Sequence, residues 1–354
     1  MGTNHIGEPI KSSGGEPEAA PLAAYEHQSQ GYWRLVWIQF KKRPLGLVSL
    51  AVLALLAFIG IIAPFLAGEV PIYLSTQGKT YFFPNVIEYG DLVSFNFDGW
   101  EPGPDDRAIR PLIPFAPERS HLYNRLEAPS GKHWLGTDDR GRDVLSRLIW
   151  GTRISMTVGF VAMGIATVIG IIAGALAGYY GGKVDAVVLR IIEIVLCFPT
   201  LILILSLIAF LNPSIYNIMI ALGLTGWPDV ARLVRGEFLK LRNADFTTAA
   251  RATGLRDTRI MFRHLLPNAL APVLVTATFG VAGAILTESA LSFLGFGVPP
   301  PTASWGEILK QSKDYVDFAY WLVIFPGLAI FVTVTAFNLV GEALRDAMDP
   351  RLRQ

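Results

Sequence analysis

The stretch that decides the fold is 243–271, NADFTTAARATGLRDTRIMFRHLLPNALA, which lies between two long apolar runs. Asn243 or Asp245 can cap the N-terminus of a helix, and Gly254 lies where such a helix would end in a left-handed residue. A second helix can begin at Asp257. The pattern predicts an elbow of helix, turn and helix. Its first arm is rich in Thr and Ala, so another protein can approach its backbone closely.

The composition is that of a membrane protein. Of the 354 residues, 52% are hydrophobic and only 17% are charged, and the mean hydropathy is +0.42. The apolar residues form runs long enough to cross a bilayer, which takes about 20 residues per helix. The single cysteine, Cys197, lies inside an apolar run. We therefore expect it to be a small buried side chain, and an intrachain disulfide is excluded.

The N-terminal region is predicted to lie in the cytoplasm. Residues 1–30 have the composition of a disordered tail. Residues 31–43 mix aromatic and basic side chains, which fits an amphipathic helix on the inner membrane face or an ordinary start of the first span. Because the basic cluster at 41–43 precedes the apolar run 45–67, the positive-inside rule places the N-terminus inside. That run is too long for a signal peptide, so no cleavage is expected.

Between the first two spans lies a long polar region, 68–153, which this topology places outside the membrane. Its middle part, 73–98, alternates β-branched and aromatic residues with polar ones. That pattern predicts a few short strands in a small external subdomain. Its last part, 140–155, has apolar and charged residues at helical spacing, which predicts a helix lying at the outer interface.

Six spans are predicted, with both chain ends inside. In the second span, Gly170, Gly174 and Gly178 form a stripe of small residues that lets another helix pack at close range. One apolar run is too long for a single helix, so we divide it at a Leu-Asn-Pro turn. The predicted spans are, in order, 45–67, 154–179, the two parts of 194–228 on either side of 211–213, 265–287 and 318–340.

The distribution of charge supports this orientation. Between Arg232 and Arg263 there are eight basic residues against three acidic ones, and the C-terminal tail adds further arginines. This basic surplus falls on the side assigned to the cytoplasm. The elbow is therefore predicted to face the cell interior.

Two acidic residues, Glu193 and Glu288, lie in or beside predicted spans. Acids in a membrane usually face a bundle interior or a water-filled path, so either residue can belong to a translocation path. Both lie close to predicted span ends, where interfacial solvation can satisfy them, and a structural hydrogen-bonding role is favoured. Prolines inside spans can kink the helices, as a gate requires, although static packing explains them equally well. These prolines are Pro199, Pro272 and Pro326.

No reactive constellation is found. The five histidines show no HExxH spacing, and one cysteine cannot form a Cys/His zinc pattern. Residues 77–80 match the tail of a phosphate-binding loop, but Tyr73 lies where the first glycine belongs. The aspartates in 138–143 lack the spacing of a calcium loop, and we expect a solvated loop there. We therefore predict no enzymatic activity, no metal and no cofactor bound by this chain.

The elbow resembles the EAA-x3-G-x9-I-x-LP signature of ABC importer permeases, with the same spacing throughout. Two positions depart from it: Thr248 replaces the usual Glu, and His264 replaces Ile, a frequent form in the peptide-importer branch. The missing acid implies that contact there rests on shape and on nearby arginines. The residues that the resemblance implies for coupling to an ATPase are Asp245, Thr248, Ala249, Ala250, Arg251, Gly254, Arg256, Leu266 and Pro267.

Other segments are similar to the second permease of dipeptide and oligopeptide importers. They are HWLGTDDRGRDVLSRLIWGTRIS, GYYGGKVDAVVLRIIEI, ALSFLGFGVPPPTASWGEIL and FNLVGEALRDAMDPRLR. The likeness covers 134–353 and, more loosely, the first span and its flanks. The external loop is larger than usual in that branch and is weakly similar to the microcin and peptide importer permeases.

The resemblance implies an all-α polytopic membrane protein with the six-helix core of ABC type I importer permeases and a small external, β-containing insertion between helices 1 and 2. The implied divisions are the cytoplasmic tail and interfacial helix (1–44), helix 1 (45–67), the external subdomain (68–153), the permease core (154–343, with the coupling elbow at 243–267) and the cytoplasmic C-terminal tail (344–354).

The function implied is that of the permease subunit of an ATP-driven importer in the bacterial inner membrane. The implied partners are a second, homologous permease, two cytoplasmic ATPase subunits that carry ATP and Mg²⁺, and an external solute-binding protein that delivers peptide. Membrane lipid surrounds the chain, and nucleic acid is not expected. Nickel chelates, glycosides and peptide antibiotics are alternative solutes within the same branch.

Two hypotheses from other functional classes are less well supported by the sequence than an importer permease. A secondary transporter predicts inverted repeats and discontinuous helices with charges at the membrane midplane, and neither pattern is found in the sequence. A membrane-embedded hydrolase needs a catalytic set in or near the spans, which Glu193 and Glu288 alone do not supply.

Overall fold

The computed structural model describes residues 32–76, 78–211 and 214–349 of the chain. Within these ranges the chain is mostly helical, with one small sheet in its N-terminal third. This confirms the predicted fold class of a helical membrane protein with a β-containing insertion after the first apolar helix. Three stretches with sequence predictions lie outside the described residues: the tail 1–30, the turn residues 212–213 and the chain end 350–354.

The helices and strands are numbered here in chain order. They are α1 (Tyr32–Lys41), α2 (Pro44–Ile61), α3 (Ala63–Leu66), β1 (Tyr73–Thr76), β2 (Lys79–Phe82), β3 (Arg107–Ile109), α4 (Val144–Tyr180), α5 (Gly182–Cys197), α6 (Thr200–Phe210), α7 (Ile215–Leu241), α8 (Asp245–Ala252), α9 (Asp257–Leu294, with a π-helical turn at Ile260–Leu265), α10 (Trp305–Gln311) and α11 (Trp321–Met348).

Four described helices, α2, α4, α9 and α11, are long and apolar enough to cross a membrane. Helices α5 and α6 reach that apolarity only together, and they are bent by 88° where they meet. The described residues thus hold four candidate spans, or five if the bent pair is one span, where the sequence predicts six. The predicted fourth span is the start of α7, which is less apolar because charged residues begin at Asp229, halfway along it.

The bend between α5 and α6 is caused by Pro199. Proline has no amide hydrogen and disfavours a helical residue before it, and Phe198 is accordingly extended, with φ −92° and ψ 135°. The kink expected at Pro199 is therefore a complete break. Pro272 and Pro326, in contrast, lie inside the continuous helices α9 and α11.

Helix α4 joins two elements that the sequence predicts as separate. The interfacial helix expected at 140–155 and the span expected at 154–179 are one helix of 37 residues, so the first prediction is wrong. Its N-terminus is capped by Asp143, whose carboxylate accepts a hydrogen bond of 2.7 Å from the amide of Ser146. No proline interrupts the helix, which at 1.5 Å per residue is roughly 55 Å long and exceeds a bilayer core of about 30 Å.

The ends of the other helices also differ from the predicted span limits. Helix α2 ends at Ile61, and α3 follows it after one residue. Helix α9 extends beyond both ends of the predicted span 265–287, whereas α11 begins three residues after the start of the predicted span 318–340 and continues to Met348. The backbone hydrogen bonds of a helix do not require apolar side chains. A helix can therefore continue past the end of an apolar run.

The packing of α4 against α7 forms the centre of the helical bundle. Gly170, Gly174 and Gly178 of α4 face α7 so closely that a Cβ atom at Gly174 would lie 2.4 Å from the carbonyl oxygen of Ala231. At Gly178 a Cβ atom would lie 2.6 Å from the Cβ of Phe238, which is fully buried. The stripe of small residues thus brings two helix backbones into contact.

The region between α3 and α4 holds a three-stranded antiparallel sheet in the order β2-β1-β3. Tyr73 pairs with Phe82 on one side and with Ile109 on the other. Two strands lie inside the predicted stretch 73–98, and β3 lies outside it. That strand is only three residues long, and its place is set by pairing with β1 rather than by its own residue pattern.

The sequence predicts a solvated loop at 138–143, and this prediction is wrong. Asp138 is fully buried, and its carboxylate accepts a hydrogen bond of 2.7 Å from Nε of Arg142. Arg147 is also fully buried, 3.4 Å from Asp138, and it forms an ion pair with Glu307 of α10. Opposite charges and hydrogen bonds within the cluster make its burial possible. The cluster joins the region between α3 and α4 to α4 and α10.

Cys197, expected to be buried, is exposed at the end of α5. Periodicity along an apolar run does not say which face of a helix meets the rest of the chain, and α5 turns most of its residues outward.

Candidate functional site

The elbow consists of α8 and the start of α9. Helix α8 ends in Gly254, which has φ +74°, as expected for a left-handed glycine. The amide of Gly254 donates to the carbonyl of Arg251 at 2.9 Å, and the next amide, of Leu255, donates to Ala250 at 3.4 Å. These two bonds form the Schellman arrangement that ends a helix. Helix α9 begins at Asp257, at the residue where the sequence predicts a second helix.

The N-terminal cap of α8 differs from the prediction. The capping position is occupied by Ala244, and no side chain makes a capping hydrogen bond there, so neither Asn243 nor Asp245 is the cap. The hydroxyl of Thr247 instead donates to the carbonyl of Leu241 at 2.8 Å, and this ties α8 to the end of α7.

One face of α8 is exposed and the other is buried. Thr248, Ala249 and Arg251 are exposed, whereas Thr247 is fully buried and Ala250 belongs to the main hydrophobic core. Thr248 and Ala249 keep part of this exposed face small, while Phe246 and Arg251 add two large exposed side chains to it. The residues named for ATPase coupling therefore divide: Ala250 faces inward, while Asp245, Thr248, Ala249, Arg251, Gly254, Arg256 and Pro267 are exposed and Leu266 is half-buried.

The elbow is fastened to the end of α4. The hydroxyl of Tyr179 donates a hydrogen bond of 2.6 Å to Oδ1 of Asp257. The guanidinium of Arg251 lies over the ring of Tyr179, 5.1 Å from its centre, in a cation–π contact. The sequence placed Asp257 at the start of the second helix of the elbow, but it did not identify Tyr179 or the contact between these two residues. The acid and the tyrosine are far apart in the chain, and only the packing of α4 beside α9 brings them together.

The π-helical turn at Ile260–Leu265 connects the elbow to the apolar part of α9. Three residues of this turn, Ile260, Met261 and Leu265, are almost completely buried in the main core. A π turn makes a local bulge in an α-helix and often lies at functional sites. The elbow is thus fixed to the bundle at both of its ends.

A cavity of about 410 Å³ opens between α4, α6, α7 and α9. Its lining combines small side chains and hydroxyl groups with larger apolar side chains and one acid. Those that carry polar atoms are Thr200, Thr225, Asp229, Thr276 and Thr287. Helices α4 and α9, which carry the two residues that fasten the elbow, contribute to its wall.

The two acids expected near span ends have opposite environments. Glu193 is exposed on α5 and forms an ion pair of 2.8 Å with Arg190. Glu288 is fully buried, so the expected solvation at an interface is wrong for it. Its carboxylate accepts hydrogen bonds from Ser292 at 2.7 Å and from Ser304 at 3.0 Å. Because Ser304 caps α10, these bonds join α9 to α10.

The C-terminal half of the chain matches a known protein family. Residues 166–354 match the model of the binding-protein-dependent transport system inner membrane component. The chain belongs to this family. Residues 31–82 match a second model, the N-terminal transmembrane domain of oligopeptide transport permease C. The elbow and the cavity-lining helices α6, α7 and α9 lie within the first match. The chain is thus a membrane permease with several apolar helices.

Relatives of this permease extend over most of its length. It is 44% identical over 230 residues to a dipeptide transport system permease protein of Alkalihalophilus pseudofirmus, covering 65% of this chain and 76% of that one. A dipeptide permease of Haemophilus influenzae is 35% identical over 318 residues, 90% of this chain and 94% of its own. An oligopeptide permease of Bacillus subtilis is 40% identical over 235 residues, 66% and 77% of the two chains.

Among solved structures, the permease is similar to a chain of the MetNI methionine ABC transporter in an inward-facing conformation. The sequence identity is 21%, the TM-score is 0.48, and the match covers 58% of this chain and 96% of that chain.

Proposed function

We propose that this chain is one permease subunit of an ATP-driven importer that carries peptides into the cytoplasm. In this proposal it pairs with a second, homologous permease, and two ATPase subunits bind ATP and Mg²⁺ below the membrane. An external solute-binding protein delivers the peptide. The observation that carries the proposal is the exposed face of α8, in which Thr248 and Ala249 lie between the larger Phe246 and Arg251, and which hydrogen bonds of the elbow tie to α7 and α4. Such a face suits docking into a groove of a moving partner.

The proposed mechanism follows from how the elbow is fastened. ATP binding closes the ATPase pair and moves the docked elbow. Because Tyr179 and Asp257 link the elbow to α4 and α9, that movement reaches two helices that line the cavity. The bundle then opens outward to accept peptide, and hydrolysis reverses the change.

The choice of peptide as solute is supported by the names of the relatives and by the chemistry of the cavity. Hydroxyl groups can exchange hydrogen bonds with peptide groups of any sequence, and the small neighbouring residues leave room for varied side chains. Asp229, which forms an exposed ion pair of 2.5 Å with Arg232, can exchange that partner for the positive amino terminus of a peptide. A nickel chelate, a glycoside or a peptide antibiotic is the alternative solute, and transport without ATP is the alternative class.

The proposed orientation places both chain ends in the cytoplasm of a bacterial cell. An ion pair of 3.0 Å between Arg43 and Asp346 supports this, because it joins the start of α2 to the end of α11. The two ends of the described chain therefore lie on one side of the bundle. The basic residues of the elbow favour the inner side for them.

The test is ATP hydrolysis by the purified complex of both permeases, the ATPase pair and the binding protein in lipid. We expect a peptide library to stimulate hydrolysis when the binding protein is present and not when it is omitted. Failure of every peptide, with stimulation by a nickel chelate or glycoside, rejects peptide as the solute. Transport that continues without ATPase subunits rejects the whole proposal.

A further inference from the structure

Three side chains that can bind a metal ion lie close together in the external subdomain. They are Glu69, Asp98 and His121. One ligand atom from each lies within 4.8 Å of the other two. Nε2 of His121 is 3.9 Å from Oδ1 of Asp98. The three residues come from separate segments, one after α3, one between β2 and β3, and one after β3. Their meeting is a product of the tertiary fold and has no motif in the sequence.

The Glu69 carboxylate is buried and incompletely satisfied. Its side chain is 8% exposed, and its Oε1 atom has no hydrogen-bond partner among the residues that the structure describes. Together with Asp98 and His121 it lines a cavity of about 250 Å³. A buried oxygen without a donor carries a desolvation cost, which a bound cation can offset.

A positive group already lies beside the two carboxylates. Nε of Arg119 is 3.1 Å from Glu69, and its Nη1 is 3.6 Å from Asp98. Burial raises the pKa of the Glu69 carboxyl, and Arg119 opposes that rise without cancelling it. Nη1 of Arg119 also donates a hydrogen bond of 2.8 Å to Oδ1 of Asn96, and the Arg119 side chain is 40% exposed. The two carboxylates therefore attract positive charge, and the side chain of Arg119 can turn toward solvent.

We propose that Glu69, Asp98 and His121 form a binding site for a divalent transition-metal ion, with Zn²⁺ as the best fit. One imidazole nitrogen and two carboxylate oxygens suit zinc, and a water molecule can complete a tetrahedron. Calcium and magnesium prefer ligand sets made only of oxygen. Bond lengths of about 2.0–2.2 Å place tetrahedral ligand atoms roughly 3.4 Å apart. The three ligand atoms, which lie within 4.8 Å of one another, would therefore have to approach each other by about 1 Å.

The proposed ion would cross-link three segments of the external subdomain. Since it binds the folded arrangement better than the unfolded one, it would stabilise this region and protect it from proteolysis. Arg110 and Lys132 also line the cavity, and their charges oppose a cation. We therefore expect an affinity below that of a structural zinc centre with cysteine ligands.

The test uses the full-length permease in lipid nanodiscs and titrates Zn²⁺ against a competing zinc indicator, with limited proteolysis of the external loop as a second readout. We expect one equivalent of Zn²⁺ to bind and to slow cleavage. His121→Gln and Asp98→Asn should weaken binding by roughly tenfold or more. The matched control is Asp105→Asn, an exposed carboxylate of the same loop, which should change neither readout.

Arg119→Gln distinguishes a metal site from a plain ion-pair cluster. Removing the competing charge should tighten zinc binding by roughly fivefold. If Arg119→Gln weakens or abolishes zinc binding while its loop resists protease as the wild type does, the proposal is wrong. It is also overturned if zinc binding survives both ligand variants, if the wild type binds no zinc, or if Ca²⁺ displaces zinc at equal concentration. None of these outcomes depends on transport.

Discussion

Tyr179 donates a hydrogen bond of 2.6 Å to Asp257, and so the second-last residue of α4 is joined to the first residue of α9. Both helices line part of the 410 Å³ cavity. A force applied to the elbow therefore has a direct connection to the cavity wall.

Tyr179→Phe should lower the number of solute molecules carried per ATP hydrolysed. The variant removes a hydrogen bond to a charged acceptor, which contributes about 1.5–3 kcal/mol to holding the elbow, and it keeps the ring under Arg251. Transport and hydrolysis are measured together in proteoliposomes. The control is Tyr180→Phe at the exposed neighbouring position. An unchanged ratio in Tyr179→Phe would contradict the proposed connection.

Ala249→Leu and Ala250→Leu should fail in different ways. Ala249 is exposed, so the larger side chain should leave the melting temperature unchanged and prevent co-purification with the ATPase subunits. Ala250 is 9% exposed and lies in the core, where overpacking costs about 1–3 kcal/mol, so this variant should melt earlier. Identical behaviour of the two variants would show that α8 is not oriented as described.

Gly174→Ala should destabilise the permease, and Gly164→Ala should not. A Cβ atom at Gly174 would lie 2.4 Å from a backbone oxygen of α7, so the helices must separate. Gly164 lies in the same helix with open space around it, and there alanine favours the helix by up to about 1 kcal/mol. Thermal unfolding of the two purified variants is the measurement. A lower melting temperature for Gly164→Ala than for Gly174→Ala would refute the α4–α7 contact.

Arg147→Met should lower stability strongly. It leaves Glu307 buried without its cation, while Asp138 keeps Arg142, and the loss of one partner of a buried pair costs about 3–5 kcal/mol. Arg190→Gln is the control, since Arg190 forms an exposed pair with Glu193 whose loss costs less than about 1 kcal/mol. The melting temperatures of the two variants should differ clearly. Equal small losses would mean that the Arg147 cluster is solvated.

Glu288→Ala should loosen α10 from α9. The hydroxyls of Ser292 and Ser304 lose their acceptor in a buried place, at a cost of about 1–3 kcal/mol for each group left unpaired. We expect a lower melting temperature and faster hydrogen exchange in α10. Glu193→Ala, at an exposed position, should change neither measurement. Unchanged exchange in Glu288→Ala would argue against a structural role for this carboxylate.

Several properties could be predicted from the sequence because local residues decide them. The membrane class follows from the length of the apolar runs. The elbow follows from the order of a helix-compatible run, a left-handed Gly254 and a new start at Asp257, and the structure has all three in place. Capping was less predictable, because Thr247 makes a hydrogen bond to α7 that no local rule specifies.

Span boundaries were predicted poorly for a physical reason. Hydropathy reports where lipid can surround a segment, whereas a helix ends where its backbone hydrogen bonds end. Helix α4 therefore continues from its Asp143 cap through a region that the sequence divides in two, and Pro199 breaks a run that hydropathy leaves whole.

The sequence by itself determined that the chain is a helical membrane protein with an elbow between two apolar helices and a stripe of glycines available for packing. Only the tertiary structure decided which residues from distant parts of the chain contact one another. Tyr179 meets Asp257, Arg147 meets Glu307, and Glu69 meets Asp98 and His121. Charge and burial at these places depend on residues that are remote in the chain, and no local pattern contains that information.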